Sequence, residues 1–206
     1  MIREPQQFRL DDEDEEPKEE RKPDAPFQMV AQRLFEARTV MIFGEINMRV
    51  ARDVSAQLMA LAVQSDEPIK MIINSPGGHV ESGDTIFDMI RFITPEVKMI
   101  GTGWVASAGA LIFLAAKKEN RVCLPNTRFL LHQPMGGVRG PAVDIGIEAQ
   151  EIVKMRERIN RIISEETGQP FEKVENDTDR NFWMGPKEAI NYGLVSRVVN
   201  SMSEVF

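Results

Sequence analysis

Cysteine occurs once in the 206 residues, at Cys123. One thiol cannot close an internal disulfide or build a cysteine-based metal site, and no metal is expected. Histidine occurs twice, at His79 and His132, so imidazole chemistry has only two possible carriers. No apolar run comes near the roughly 20 residues needed to cross a bilayer. The N-terminus lacks the apolar core of a secretory signal, so a cytoplasmic protein with no membrane partner is expected. The formal net charge is −7, which argues against nucleic acid as a partner.

Apolar residues make up 42% and charged residues 28%, enough of each for one soluble domain with a sizeable core. The charge is uneven. Residues 1–26 hold ten acidic and five basic side chains. From Asp11 to Pro26 there is no branched aliphatic or aromatic residue. Such a segment cannot bury enough apolar surface to offset its ordering entropy, and it reads as an acidic disordered arm. The folded domain is expected over 27–206.

The pattern beyond the arm is strand–helix repeated. A short helix over 28–38 and a strand over 40–43 come first. Asn47 is placed to cap a helix over about 49–64, with Val50, Val54, Leu58, Leu61 and Val63 as its apolar stripe. A strand over 70–74 runs into the turn Ser75–Pro76–Gly77–Gly78. A helix over about 82–93, a strand over 97–101, a helix over 110–116 and strands over 121–124 and 129–132 follow. This alternation predicts an α/β fold with a largely parallel sheet. A long amphipathic helix over 142–167 comes next, approached through Gly136, Gly137 and Gly140 and stopped by Gly168. A short helix over 186–192 and a strand over 194–199 close the chain.

Gly103–Trp104–Val105–Ala106–Ser107–Ala108–Gly109 is the segment with most chemical content. It puts a serine on a small-residue turn between a strand and a helix. The hydroxyl can stay accessible there, and the N–H groups of a helix start lie beside it. This is the logic of a nucleophile elbow without the G-x-S-x-G spelling. Close packing of a helix on a sheet is the other reading of the same residues. His132 ends an apolar strand beside a glycine-rich loop, where a general base can face a cleft. No partner for His79 is evident in the sequence.

Several motifs in register carry a family resemblance over about residues 30–200. They are Ile73–Asn74–Ser75–Pro76–Gly77–Gly78, Ala106–Ser107–Ala108–Gly109, Leu124–Pro125–Asn126, Leu131–His132–Gln133–Pro134 with Gly136–Gly137, Asp177–Thr178–Asp179–Arg180 and Tyr192–Gly193–Leu194. Together they resemble ClpP, the proteolytic subunit of the ATP-dependent Clp protease. The resemblance implies the ClpP/crotonase fold, stacked βαβ units with a protruding helical handle, here 142–167. It implies Ser107 as nucleophile, His132 as general base, and the backbone N–H groups of Gly78 and Ala108 as the oxyanion hole. It implies ring–ring contacts through Asp179 and Arg180, and two stacked seven-membered rings enclosing the active sites. The partners implied are further copies of the chain or a second ClpP, an AAA+ Clp ATPase, and unfolded polypeptide substrates. No cofactor is implied, because ATP is used by the ATPase.

Three departures from the family pattern stand out. Asn181 occupies the place of the aspartate that completes the family's Ser-His-Asp triad. Ala108 stands for the usual methionine. Lys70 stands where an aromatic commonly lines the ATPase-docking pocket, and the acidic arm lacks the family's apolar axial segment. These departures suit a weakly active or structural subunit of a mixed complex as an alternative to a self-sufficient serine endopeptidase. A crotonase-type acyl-CoA enzyme is a third reading, since fold alone does not fix function.

Overall fold

The computed structural model describes residues 25–134, 137 and 139–205. Helix α1 (Ala25–Glu36) leads to strand β1 (Thr39–Phe43), helix α2 (Met48–Gln64), strand β2 (Ile69–Ser75), helix α3 (Val80–Phe92), strand β3 (Val97–Ala106) and helix α4 (Ala108–Leu114). Strands β4 (Arg121–Cys123) and β5 (Arg128–Leu131), helices α5 (Ala142–Thr167) and α6 (Phe171–Thr178), strand β6 (Phe182–Met184), helix α7 (Pro186–Tyr192) and strand β7 (Arg197–Val198) complete it. The acidic arm expected over 1–26 lies outside the described residues, apart from Ala25 and Pro26, which open α1. Gly136 of the glycine-rich approach to α5 lies outside them too.

Strands β1, β2, β3, β4 and β7 run parallel in that order. β3 forks. Its residues Met99–Gly101 pair with β4, and Trp104–Ala106 pair with β5. β6 then adds antiparallel to β5. The strand therefore runs past the expected end at 101, right up to Ser107. Its second half is held by a partner strand from a later part of the chain, which no local pattern announces.

One face of the sheet carries the core. Leu58 and Leu61 of α2, Ile86 and Ile90 of α3, and Phe113 of α4 pack with Ile69, Met71, Ile73 and Met99 of the strands. The Asn47 side chain accepts a hydrogen bond from Val50 N at 3.0 Å, a cap that contributes about 1 kcal/mol. All seven residues of α4 are buried, so the helix that begins after Ser107 has no freedom to shift. Val63, expected on the apolar stripe of α2, is 83% exposed, because it lies in the last turn of the helix, beyond the reach of the core.

α5 is divided by burial. Residues 142–151 are all exposed, whereas Ile159 and Ile163 are in the core. Two ion pairs pin its lower half to α3. Arg158 grips Asp84 through both oxygens at 2.8 and 2.6 Å, and Arg91 meets Glu166 at 2.6 Å. The helix thus projects as a handle, and Gly168 ends it in the left-handed conformation.

α6 and β6 were not foreseen as elements. A three-residue strand is too short to show alternation. The last strand is only Arg197–Val198. Leu194 and Val195 are buried without joining it, since their N–H groups turn back to the carbonyl of Ala189 within α7.

Cys123 is buried, and burial pushes its thiol up to about 11. The reactive thiolate is therefore scarce at neutral pH. Iodoacetamide at pH 8 is expected to leave the folded protein unmodified and to alkylate it fully in denaturant, as read by intact mass. Stoichiometric alkylation of the native protein would contradict this burial.

Candidate active site

Ser107 sits between the end of β3 and the start of α4 with φ 55° and ψ −124°. Left-handed φ is uncommon for any residue but glycine, and it costs about 1–3 kcal/mol unless its surroundings enforce it. Here they do. Ser107 N donates to Leu130 O at 2.9 Å, and Ser107 O accepts from Ala110 N and Leu111 N. The strand before it and the buried helix after it leave the serine at the tip of a sharp turn, half-buried. This is the nucleophile-elbow geometry expected from the small residues around it.

The Gly77–Gly78 turn lies directly against Ser107. A Cβ on Gly77 would stand 2.6 Å from Ser107 Cβ and 3.1 Å from its Oγ. A Cβ on Gly78, whose φ is +146°, would stand 2.2 Å from Ile46 O. Only glycine fits either place. Ser75 Oγ, buried beneath the turn, accepts from Gly77 N at 3.1 Å. The expected pair of oxyanion residues thus falls on two elements that meet at Ser107, because Ala108 is the first residue of α4. The N–H groups of a helix's first turn have no partner within the helix.

His132 follows the last residue of β5. Its Nδ1 is 3.2 Å from Asn181 Oδ1. An amide oxygen only accepts, so Nδ1 carries the proton and Nε2 is left with a free lone pair. Asn181 immediately precedes β6, and the antiparallel pairing of Leu131 with Phe182 brings the two side chains together. Ser107 and His132 line one narrow cavity of about 20 Å³ with Ala108, Val80, Leu111, Leu131, Pro134, Ile159 and Ile163.

Asp179 and Arg180 lie on the other side of His132. They border an open cleft of about 600 Å³ with Gln133, Pro134, Ile152 and Asn181. The Asp179 carboxylate receives Gln133 Nε2 at 3.3 Å and faces Arg156 and Arg180 at 3.6 and 3.4 Å. It is occupied by these groups, and the described partner of His132 is Asn181. The Arg180 side chain is exposed. Lys70 is half-buried on β2, opposite Lys98 of β3.

The sequence reading missed the apolar wall. Val80, Leu111, Leu131 and Pro134 each look like ordinary core or turn residues. Ile159 and Ile163 were legible only as a helix stripe. His79, which seemed partnerless, has two contacts: Ser82 Oγ at 2.8 Å and Glu81 Oε2 at 3.1 Å. Histidine at i and serine at i+3 across a helix start is the signal that could have found the first.

The Clp protease family model matches residues 22–202. The chain is 62% identical over 205 residues to the ATP-dependent Clp protease proteolytic subunit 2 of Gluconobacter oxydans, covering 96% of this chain and 92% of that one. It is 43% identical over 175 residues to the proteolytic subunit 2 of Treponema denticola, covering 84% and 88%. Among solved structures, ClpP1 of Listeria monocytogenes matches with a TM-score of 0.79, and an asparagine-to-aspartate mutant of it with 0.81. Each of these is 54% identical and covers 86% of this chain and 99% of the other.

Proposed function

The chain belongs to the Clp protease family and is a proteolytic subunit, a serine peptidase, and we propose that Ser107, His132 and Asn181 form its cleaving centre. Ser107 attacks a peptide carbonyl. His132 takes the hydroxyl proton on Nε2 and returns it to the leaving amine, and water later releases the acyl-enzyme. The Gly78 and Ala108 N–H groups hold the oxyanion. Asn181 orients the imidazole and fixes its tautomer without adding a charge. One observation carries this reading: a serine in an enforced left-handed turn shares a cavity with a histidine whose far nitrogen is held by Asn181. The chemistry needs no cofactor or metal.

The cavity wall beside Ser107 is apolar, which suits a small apolar side chain at the cleaved bond. The ATP dependence in the relatives' names belongs to a partner ATPase that delivers unfolded polypeptide. Subunit assembly is supported by two uncovered apolar surfaces. A parallel sheet is normally covered on both faces, yet Met41, Phe43 and Trp104 stand exposed on its strands. Val143, Ile145 and Ile147 stand exposed along the first half of α5. The sheet face suits a neighbour within a ring. The handle, with Asp179 and Arg180 beside its root, suits a facing ring of the same chain or of a second ClpP. Native mass spectrometry of the purified protein, alone and mixed with a second ClpP, tests this assembly. Particles of two seven-membered rings in either sample are expected; a monomer in both would overturn the ring reading.

A further inference from the structure

His79 directly follows Gly78, and nothing in the proposed chemistry uses it. Its backbone N–H donates to Ile46 O at 2.9 Å, and Ile46 N donates to Gly77 O at 2.8 Å, so the backbone of the turn is held on one side. The imidazole holds it on the other. Nε2 is 3.1 Å from Glu81 Oε2, and Nδ1 is 2.8 Å from Ser82 Oγ. A carboxylate only accepts, so Nε2 carries a proton toward Glu81, and Nδ1 pairs with the Ser82 hydroxyl. Histidine occupies the N-cap position of α3, where its carbonyl accepts from Gly83 N at 3.1 Å but its side chain makes no bond to the helix backbone. Its ring ties the side chain of the third helical residue instead.

Ser82 is 2% exposed, which rules it out as a second nucleophile despite its histidine and carboxylate neighbours. Its position gives it another use. The next residue, Gly83, lies against Ala108, where a Cβ would stand 3.1 Å from the Ala108 Cβ. A continuous path therefore runs from Gly78 through the His79 ring to Ser82 and Gly83, and on to Ala108. Its two ends are the two proposed oxyanion donors.

We propose that His79 is a positioning residue that holds the Gly78 N–H in register with the Ala108 N–H through its bond to Ser82. The inference rests on the assignment of these two residues as the oxyanion hole. Such donors are useful only when fixed beforehand where charge develops. Gly78 is the weak point, because glycine at φ +146° has wide freedom on its own. The imidazole adds a side-chain restraint to the backbone bonds that flank Gly78. A donor that drifts weakens the transition state more than the ground state, so the loss falls on kcat and leaves KM nearly unchanged.

The test is a mutant cycle on the full assembled protein, read by hydrolysis of an activated peptide ester. The variants are His79→Val, Ser82→Ala, the double variant, and Ser107→Ala. Each of the first two is expected to lower kcat about 5- to 30-fold with KM within about twofold. The double variant is expected to be no worse than the poorer single, because both remove one bond. A His79→Val kcat within about twofold of the parent overturns the inference, as does full multiplicative loss in the double variant. If His79→Val does not assemble, Ser82→Ala removes the same bond from a residue inside the helix, and an unchanged kcat there is equally fatal. Turnover that survives Ser107→Ala overturns the site assignment itself, whatever His79 does.

Discussion

Ser107→Ala is expected to abolish peptide hydrolysis, lowering kcat by about 10³-fold or more. Removing the nucleophile of a serine peptidase leaves only the catalysis supplied by the oxyanion hole and binding. The change deletes one oxygen and keeps the Cβ that meets Gly77. Alanine meets the same positive-φ strain as serine, and the surrounding hydrogen bonds are made by backbone. Assembly should therefore survive while chemistry is lost. Fluorophosphonate labelling gives a direct reading: stoichiometric labelling of the parent that vanishes in Ser107→Ala. Labelling at another residue, or turnover retained by the variant, would sink the mechanism. A parent that does not label alone but labels when mixed with a second ClpP would identify it as a subunit activated by its partner ring.

Asn181→Asp is expected to raise kcat, with an upper bound near the ~10⁴-fold that separates aspartate from asparagine in chymotrypsin-type triads. As His132 takes the serine proton, its ring becomes a cation. The Asn181 amide offers it a dipole at 3.2 Å; a carboxylate in the same place would offer a full charge. The increase should be smaller than that bound, because the amide oxygen already points at Nδ1 and the tautomer is already correct. Its size is checked by kcat for a fluorogenic peptide across pH, with intact particles in both samples. An unchanged or lower kcat would mean that the site is built around asparagine. Arg180, adjacent in sequence and charged, would then be the first neighbour to examine.

Much of this was legible in the chain. The α/β alternation, the Asn47 cap, the Gly168 stop and the elbow at Ser107 are local events. Each follows from the conformational preferences of a few adjacent residues, and the structure contains each of them. Ser107 and His132 were found through motifs. The family match over residues 22–202 supports the reading that the motifs suggested. The crotonase alternative gains nothing from these comparisons.

Other features depended on contacts between distant segments. β3 runs on to Ala106 because β5, more than twenty residues later, completes its second half. Asn181 meets His132 because β6 pairs antiparallel with β5, and a strand of three residues has no pattern to read. The partners of His79 needed the turn at Gly78 to deliver its ring over the start of α3.

By itself the sequence determined which residues could do chemistry: one elbow serine, two histidines and an asparagine where a charge is usual. It could do so because residue type and short-range spacing set local geometry and reactivity. Tertiary structure decided that His132 shares a cavity with Ser107, while His79 meets Ser82 and Glu81. It also decided that Asn181 rather than Asp179 faces His132, and that the cleft is walled by side chains from α3, α4, β5 and α5. Those decisions follow from sheet order and helix docking. They are settled by apolar burial summed over the whole chain, and no window of the sequence contains that sum.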